Sequence, residues 1–97
     1  MPAYFVIHNR IVDNDVMQSY IPRAMECMAP YGAELLVLSE SSDCIEGSTD
    51  FPRTIVFKFD SRERAEAWYN GAEYQAILPD RLKATEGFAV LVDGFEG

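Results

Sequence analysis

Four segments of the chain have the residue pattern of β-strands, since they are rich in β-branched and aromatic residues and are bounded by turn residues. They are residues 3–12, 33–39, 53–60 and 87–93. In the first segment a period of two separates two faces. One face carries Phe5, Ile7, Asn9 and Ile11, and the other carries Tyr4, Val6, His8 and Arg10. The first face is the more apolar, so we expect it to meet the helices.

A first helix is predicted over residues 13–31. Asp13 can cap its start, and Gly32 is placed to end it in the left-handed conformation. Pro22 lies inside this segment and should kink the helix, because it lacks a backbone N–H donor. The apolar residues that recur at helical spacing are Val16, Tyr20, Ala24, Cys27, Met28 and Tyr31.

A second helical region begins at Asp60-Ser61, is interrupted at Asn70-Gly71 and continues over residues 73–86. Pro79 marks a second kink or boundary within it. Between the second and third strands the chain is polar, and only residues 44–46 are compatible with one more short strand.

The element order is therefore β-α-β-β-α-β, which is typical of an α+β two-layer sandwich with two helices on a four-stranded antiparallel sheet. The 97 residues fit one domain, spanning 1–97. The sheet's second face also carries apolar side chains, with no helix left to cover them. They are Tyr4, Val6, Val56, Leu36 and Leu38. A second copy of the same sheet is the simplest cover, so we expect a homodimer formed through this face.

Charge narrows the choice of partners. The chain has 8 basic and 16 acidic residues, a net charge of −8. Phosphate backbones and anionic membranes would be repelled, so nucleic acid and membrane are not expected partners. Cys27 and Cys44 match no zinc or redox spacing. The N-terminus has no signal-peptide pattern, and we expect a cytoplasmic protein.

Several stretches of the sequence resemble one known family. They are FDSRERAEAWYNGAEYQAILPDRLKATEG (residues 59–87), the opening AYFVIHNRIVD and the pair Glu46-Gly47. Over essentially the whole chain, the sequence is similar to domain-of-unknown-function family 1330. Asn9 stands where an apolar residue is usual in that family, and Pro22 and Pro30 also depart from its pattern.

The resemblance implies a ferredoxin-like fold in the dimeric α-β barrel superfamily, in which two sheets pack face to face. Relatives in that superfamily include cofactor-free monooxygenases, a lactone isomerase, dye-decolorising haem peroxidases and ligand-binding regulators. The family itself has no established reaction, so no catalytic residue carries over to this chain.

His8 is the only histidine and the first candidate for a general base. The period of two places it on the sheet face that should meet the partner copy. The competing interpretation is an imidazole that is packed or hydrogen-bonded in that interface. One histidine without a carboxylate cluster at ligand spacing predicts no metal site. No glycine-rich phosphate loop occurs, and we expect no cofactor.

Aromatic and polar residues of the helices suggest a small-molecule pocket between helices and sheet. Its candidate walls are Tyr20, Trp68, Tyr69 and Tyr74, and its candidate polar groups are Asn9, Arg23 and Arg81. An arginine beside aromatic rings suits a planar carboxylate. The alternatives are core packing for the rings and salt bridges for the arginines. Arg53 is expected to pair with Glu46 across a hairpin.

Two functions remain open at this point. The first is a homodimer that binds a small, partly apolar organic molecule, either as its whole function or in cofactor-free monooxygenase- or isomerase-like catalysis. The second is a non-catalytic ligand-binding or protein-interaction module. If Tyr69, Tyr74 and Arg81 line a cavity, the first gains, whereas tight packing with satisfied hydrogen bonds favours the second.

Overall fold

One antiparallel sheet with strand order β2-β3-β1-β4 forms the base of the molecule. The structure is a computed structural model and describes residues 1–95. The strands are β1 (Ala3–Ile11), β2 (Glu34–Ser39), β3 (Arg53–Phe59) and β4 (Thr85–Asp93). The predicted ferredoxin-like α+β fold with a four-stranded antiparallel sheet is confirmed. The last strand begins at Thr85, two residues earlier than predicted, because the preceding helix ends at Ala84.

The helices are α1 (Asn14–Met28), α2 (Arg62–Asn70) and α3 (Ala72–Ala84). The Asp13 carboxylate caps α1 by accepting a hydrogen bond from the backbone N–H of Val16. A 3-10 turn, Ala29–Tyr31, follows α1, and Gly32 ends it with a left-handed φ of 72° as predicted. Gly71 separates α2 from α3, which is the interruption expected at Asn70-Gly71. Both helical prolines are accommodated within unbroken helices.

Aromatic rings form the core between the helices and one face of the sheet. Phe5 of β1 lies edge-on to Phe59 and Trp68, at centroid distances of 5.9 and 5.4 Å. Trp68 also contacts Tyr74, with centroids 4.2 Å apart. Odd-numbered residues of β1 and β3 point into this layer, as the period of two predicts.

A bulge in β2 changes which of its residues face the helices. Leu35 lies opposite Phe57, but the register shifts before Val37, which lies opposite Val56. The extra residue reverses the alternation, so Leu38 lies opposite Ile55 on the helix side. The prediction that Leu38 lies on the second sheet face is therefore wrong.

The segment between β2 and β3 has no regular strand, so the strand considered at residues 44–46 does not form. Ser42 closes the base of this loop by donating its backbone N–H to the Pro52 carbonyl at 2.8 Å. Arg53 pairs with Glu40 rather than with the predicted Glu46. The reason is geometric, because Glu40 directly follows β2 beside the start of β3, whereas Glu46 lies at the exposed end of the loop.

The second face of the sheet is apolar and carries no helix. Phe88, Val90 and Val92 of β4 lie opposite His8, Val6 and Tyr4 of β1. Phe88 is 53% exposed and Val90 is 43% exposed. No helix within residues 1–95 is both long enough and apolar enough to span a bilayer.

Candidate functional site

Two cavities of similar size lie between the helices and the sheet. The α1 cavity, between α1 and strands β2 and β3, has a volume of about 220 Å³. It is lined by Met17, Tyr20, Ile21, Ala24, Met25, Met28, Leu35, Leu38, Arg53, Ile55 and Phe57. The α3 cavity, between α3 and strands β1 and β4, has a volume of about 240 Å³. It is lined by Ile7, Asn9, Tyr69, Arg81, Leu82, Thr85, Gly87, Phe88 and Ala89.

A glycine in the wall of the α3 cavity lets β4 approach β1 closely beside Asn9. Gly87 lies opposite Asn9 in the β1–β4 pair. A Cβ atom at Gly87 would approach the His8 carbonyl oxygen to 2.2 Å and the Asn9 Cα to 2.6 Å. Gly87 also has a φ of 144°, which side-chain-bearing residues rarely adopt. Only glycine therefore fits this wall without displacing β1.

Arg81 brings positive charge to the α3 cavity. Its Nε is buried and has no hydrogen-bond partner within residues 1–95. A buried N–H of a guanidinium group that lacks an acceptor is costly, because it has lost water without gaining a partner. Tyr69 forms another wall, and its ring stacks on Phe5 at 5.7 Å. The cavity wall thus combines a guanidinium group with an aromatic surface.

Two phenols form a buried hydrogen bond between the helices. The hydroxyl oxygens of Tyr20 on α1 and Tyr74 on α3 are 2.7 Å apart. Burial raises the pKa of Tyr20, and the neighbouring Tyr74 raises it further. Burial also raises the pKa of Tyr74, while the Arg81 charge acts in the opposite direction. Both phenols are therefore neutral near neutral pH, and one of them donates its O–H to the oxygen of the other.

A second polar pair links the two cavities. Asn9, which lines the α3 cavity, accepts a hydrogen bond of 3.4 Å from an Nη of Arg53, which lines the α1 cavity. The Nε of Arg53 donates to Glu40 at 3.2 Å. The Arg53 side chain is only 9% exposed, whereas that of Glu40 is 71% exposed. The main counter-charge of this buried arginine is thus a solvated carboxylate.

The structure brings together Asn9, Tyr69 and Arg81 among the predicted pocket residues. Tyr20 lines the other cavity. Tyr74 and Trp68 line neither cavity. Both are packed in the core, where Tyr74 is hydrogen-bonded to Tyr20 and the Trp68 indole N–H donates to the Cys27 sulfur at 3.3 Å. Of the three residues whose position was to separate the two functions, Tyr69 and Arg81 line a cavity and Tyr74 is packed in the core.

Two predicted polar residues lie away from both cavities. Arg23 forms an exposed salt bridge with Asp80 on α3, which matches the alternative interpretation of this residue. His8 lies on the second sheet face, where its Nδ1 is 3.2 Å from the Thr54 hydroxyl. Its ring centroid is 5.6 Å from that of Phe88. Within residues 1–95 no group of three His, Cys, Asp or Glu side chains could hold a metal ion.

Sequence reasoning missed Arg53 and Gly87 as cavity residues. Arg53 has the same parity as Ile55 and Phe57, so the period of two already placed it on the helix face of β3. The sequence prediction instead placed Arg53 in a salt bridge with Glu46 across the hairpin. Gly87 gave no comparable signal, because its role depends on the β1–β4 register.

Residues 2–95 match the family model described as "Domain of unknown function (DUF1330)". The chain belongs to this family. No curated protein matches the sequence. Among solved structures, a protein of unknown function from Rhodopseudomonas palustris is similar to this DUF1330 chain, with a TM-score of 0.80 and 9% identity. That match covers 99% of this chain and 84% of the other.

Two further structural neighbours have informative descriptions. SnoaB, a cofactor-independent oxygenase from Streptomyces nogalater, matches with a TM-score of 0.65 at 10% identity, covering 99% of this chain and 95% of SnoaB. A dimeric ferredoxin-like protein of unknown function from Thermobifida fusca matches with a TM-score of 0.60 at 15% identity, covering 94% of this chain and 89% of the other. At these identities the likeness establishes the fold and leaves the reaction open.

Proposed function

We propose that this DUF1330 protein is a homodimer in which each subunit binds a small aromatic or otherwise planar carboxylate in its α3 cavity. The observation that carries the proposal is the buried Nε of Arg81, which lacks a protein acceptor within residues 1–95 and lies at a cavity. A ligand carboxylate beside the cavity-lining part of this guanidinium group would neutralise its charge.

The remaining walls support a planar ligand body. Tyr69 contributes an aromatic wall, and Ile7 and Leu82 contribute aliphatic surface. Asn9 adds an amide that can orient a polar substituent, since its side chain both donates and accepts hydrogen bonds. A cavity of about 240 Å³ lies just below the usual range for drug-sized ligands, which points to a single-ring molecule.

Binding rather than catalysis is the function these walls favour. Within the described part of the chain, the α3 cavity lining contains no carboxylate and no imidazole that could remove a proton. His8, the first candidate for a base, lies on the opposite face of the sheet. A binding function needs only the arginine, the amide and the aromatic wall.

The dimer part of the proposal rests on the uncovered apolar sheet face. Phe88, Val90 and Val92 form a continuous exposed strip along β4. Patches of this kind mark interaction surfaces in proteins. The dimeric neighbour from Thermobifida fusca supports a second copy as the partner. In such a pair the two sheets would face each other, and the cavities would stay on the helix sides.

The first prediction is that Arg81→Met weakens benzoate binding by roughly tenfold to a hundredfold, the value of a charge-assisted hydrogen bond. Isothermal titration calorimetry of the full chain with benzoate measures this loss. Native mass spectrometry of the same samples should give a dimer with up to two benzoate molecules.

Lys83→Met is the matched control, because it removes one positive charge from an exposed position on the same helix, outside the cavity lining. It should leave the benzoate affinity unchanged, and benzamide should bind the parent protein much more weakly than benzoate does. Equal losses in the two variants would mean that benzoate responds only to net charge, and the site assignment would fail. A monomeric mass would remove the dimer proposal.

A further inference from the structure

The α1 cavity combines a buried arginine with an almost wholly apolar wall. Met17, Met25 and Met28 come from α1, and Leu35 and Leu38 come from the bulged strand β2. The charged group in this lining is Arg53, and the hydroxyl group is that of Tyr20.

Arg53 is a buried cation with two side-chain hydrogen bonds within residues 1–95, and its one ion-pair partner there is an exposed carboxylate. Of the five N–H donors of a guanidinium group, one contacts Glu40 at 3.2 Å and one contacts Asn9 at 3.4 Å. The Glu40 carboxylate is largely in solvent, so it neutralises the buried charge weakly. A second carboxylate that reached Arg53 through the cavity would be desolvated, and its bond to the guanidinium would be correspondingly stronger.

The lining of the α1 cavity determines which kind of apolar group the ligand carboxylate should carry. Methionine side chains are unbranched and adapt their shape to flexible apolar ligands. Leu35 and Leu38 are substantially exposed, so the cavity has an entry along the edge strand. This arrangement suits an aliphatic chain rather than a rigid ring, with its acid group at the Arg53 end.

We propose that the α1 cavity binds a medium-chain aliphatic monocarboxylate, with the carboxylate on Arg53 and the alkyl chain among the α1 methionines. This site is separate from the α3 cavity and does not depend on the function proposed there. Glu40 competes with the ligand carboxylate for Arg53, so the ligand must either displace Glu40 or bind Arg53 together with it.

The chain carries a built-in probe for this proposal. It has four methionines, of which three line the α1 cavity and the fourth, Met1, is exposed and outside it. In protein labelled with ¹³C at the methionine methyl groups, octanoate should shift the Met17, Met25 and Met28 signals and leave Met1 in place. Affinity should rise about fourfold per added CH₂ from butanoate to octanoate, as apolar burial requires. Octanol should bind at least tenfold more weakly than octanoate.

Glu40→Gln is the decisive variant, because it removes the competing carboxylate from an exposed position and leaves Arg53 in place. It should tighten octanoate binding about twofold to fivefold. Glu46→Gln is the matched control, since it makes the same change in the neighbouring loop away from Arg53, and it should have no effect. Arg53→Met should weaken binding roughly tenfold or more if it folds.

The outcomes separate this proposal from the one for the α3 cavity. Arg81→Met should leave octanoate binding intact, and failure of benzoate to bind would not affect the octanoate result. The α1 proposal is overturned if octanoate shifts no methionine signal of α1, if octanol binds as well as octanoate, or if Glu40→Gln fails to tighten binding.

Discussion

The α1 and α3 cavities have nearly the same volume and each contains one arginine, yet the two arginines are held differently. Arg53 has a partner in Glu40, but that partner is in solvent. Arg81 has a buried Nε for which the described residues supply no acceptor. The walls differ as well. Methionine, leucine and isoleucine side chains make up most of the α1 cavity lining, beside two aromatic rings, whereas the α3 cavity lining also contains an amide and a glycine.

Because two cavities of nearly equal volume have such different linings, cavity volume alone does not determine which ligand chemistry each one suits. Both cavities lie on the helix side of the same sheet, one beneath α1 and the other beneath α3. What distinguishes them is which side chains the strands present. The polar pair Asn9–Arg53 connects their walls, and the pair Tyr20–Tyr74 connects the α1 cavity wall to the core. Substitutions at the walls and at the connecting pairs can therefore separate the two cavities experimentally.

The largest effect is expected from Gly87→Ala. The added methyl group would meet the backbone of β1 at 2.2 Å, in a conformation that disfavours alanine. We expect a loss of about 3 kcal/mol in the free energy of unfolding, from strain together with overpacking. Benzoate binding in the α3 cavity should be lost, while octanoate binding in the α1 cavity should persist. Urea denaturation and titration calorimetry measure the two effects.

Gly47→Ala provides the control for Gly87→Ala. Gly47 also has a positive φ, 78°, but a methyl group there would meet no atom within 4 Å. Its cost should be about 1 kcal/mol, from the backbone conformation alone. If both substitutions lower the free energy of unfolding equally, the close approach of β4 to Asn9 does not contribute to stability. The requirement for glycine in the wall of the α3 cavity would then be contradicted.

A smaller effect is expected from Tyr74→Phe, which leaves the buried Tyr20 hydroxyl without its partner. We expect a loss of about 1.5 kcal/mol in the free energy of unfolding, and a similar loss for Tyr20→Phe. The double variant should be more stable than the sum of the two losses implies, because no unpaired hydroxyl remains. Strict additivity in thermal or urea unfolding would show that the two phenols are energetically independent.

The last effect is absent at neutral pH and is a pH dependence that appears only at high pH. The unfolded chain releases tyrosine protons at about pH 10, whereas burial raises the pKa of both Tyr20 and Tyr74 in the folded state. Below about pH 10 both states keep these protons and the phenols add no slope.

Above that pH the unfolded state binds fewer protons, so stability should fall, by up to about 1.4 kcal/mol per pH unit for each phenol. Urea titrations between about pH 9 and pH 11 should show a steeper fall for the parent protein than for the Tyr20→Phe/Tyr74→Phe variant. Parallel curves would contradict the folded-state pKa shifts.

The fold was predictable because its signals are local. A period of two in β1 and β3, helical spacing in the helices, and turn residues at Gly32 and Asn70-Gly71 all agree with one element order. The exception was β2, where the bulge reverses the alternation between Leu35 and Leu38. A bulge depends on the partner strand, so the period of one strand alone could not reveal it.

The site was less predictable because residue type does not determine the partner. Tyr69 and Tyr74 are both helical tyrosines five residues apart, yet one lines a cavity and the other pairs with Tyr20. Arg23 and Arg81 both looked like pocket arginines, but an acid on α3 lies within reach of Arg23. These outcomes depend on how α1 and α3 dock, which the sequence pattern does not specify.

The bulge in β2 has a consequence for how the chain behaves at high concentration. β2 is an edge strand with the sequence Leu-Leu-Val-Leu, and an edge of that kind is a template for pairing with strands of other molecules. The irregularity between Leu35 and Val37 interrupts the regular ladder and bends the strand. A straight incoming strand is therefore not expected to pair with this edge along its full length, and the bulge acts against edge-to-edge pairing at high concentration.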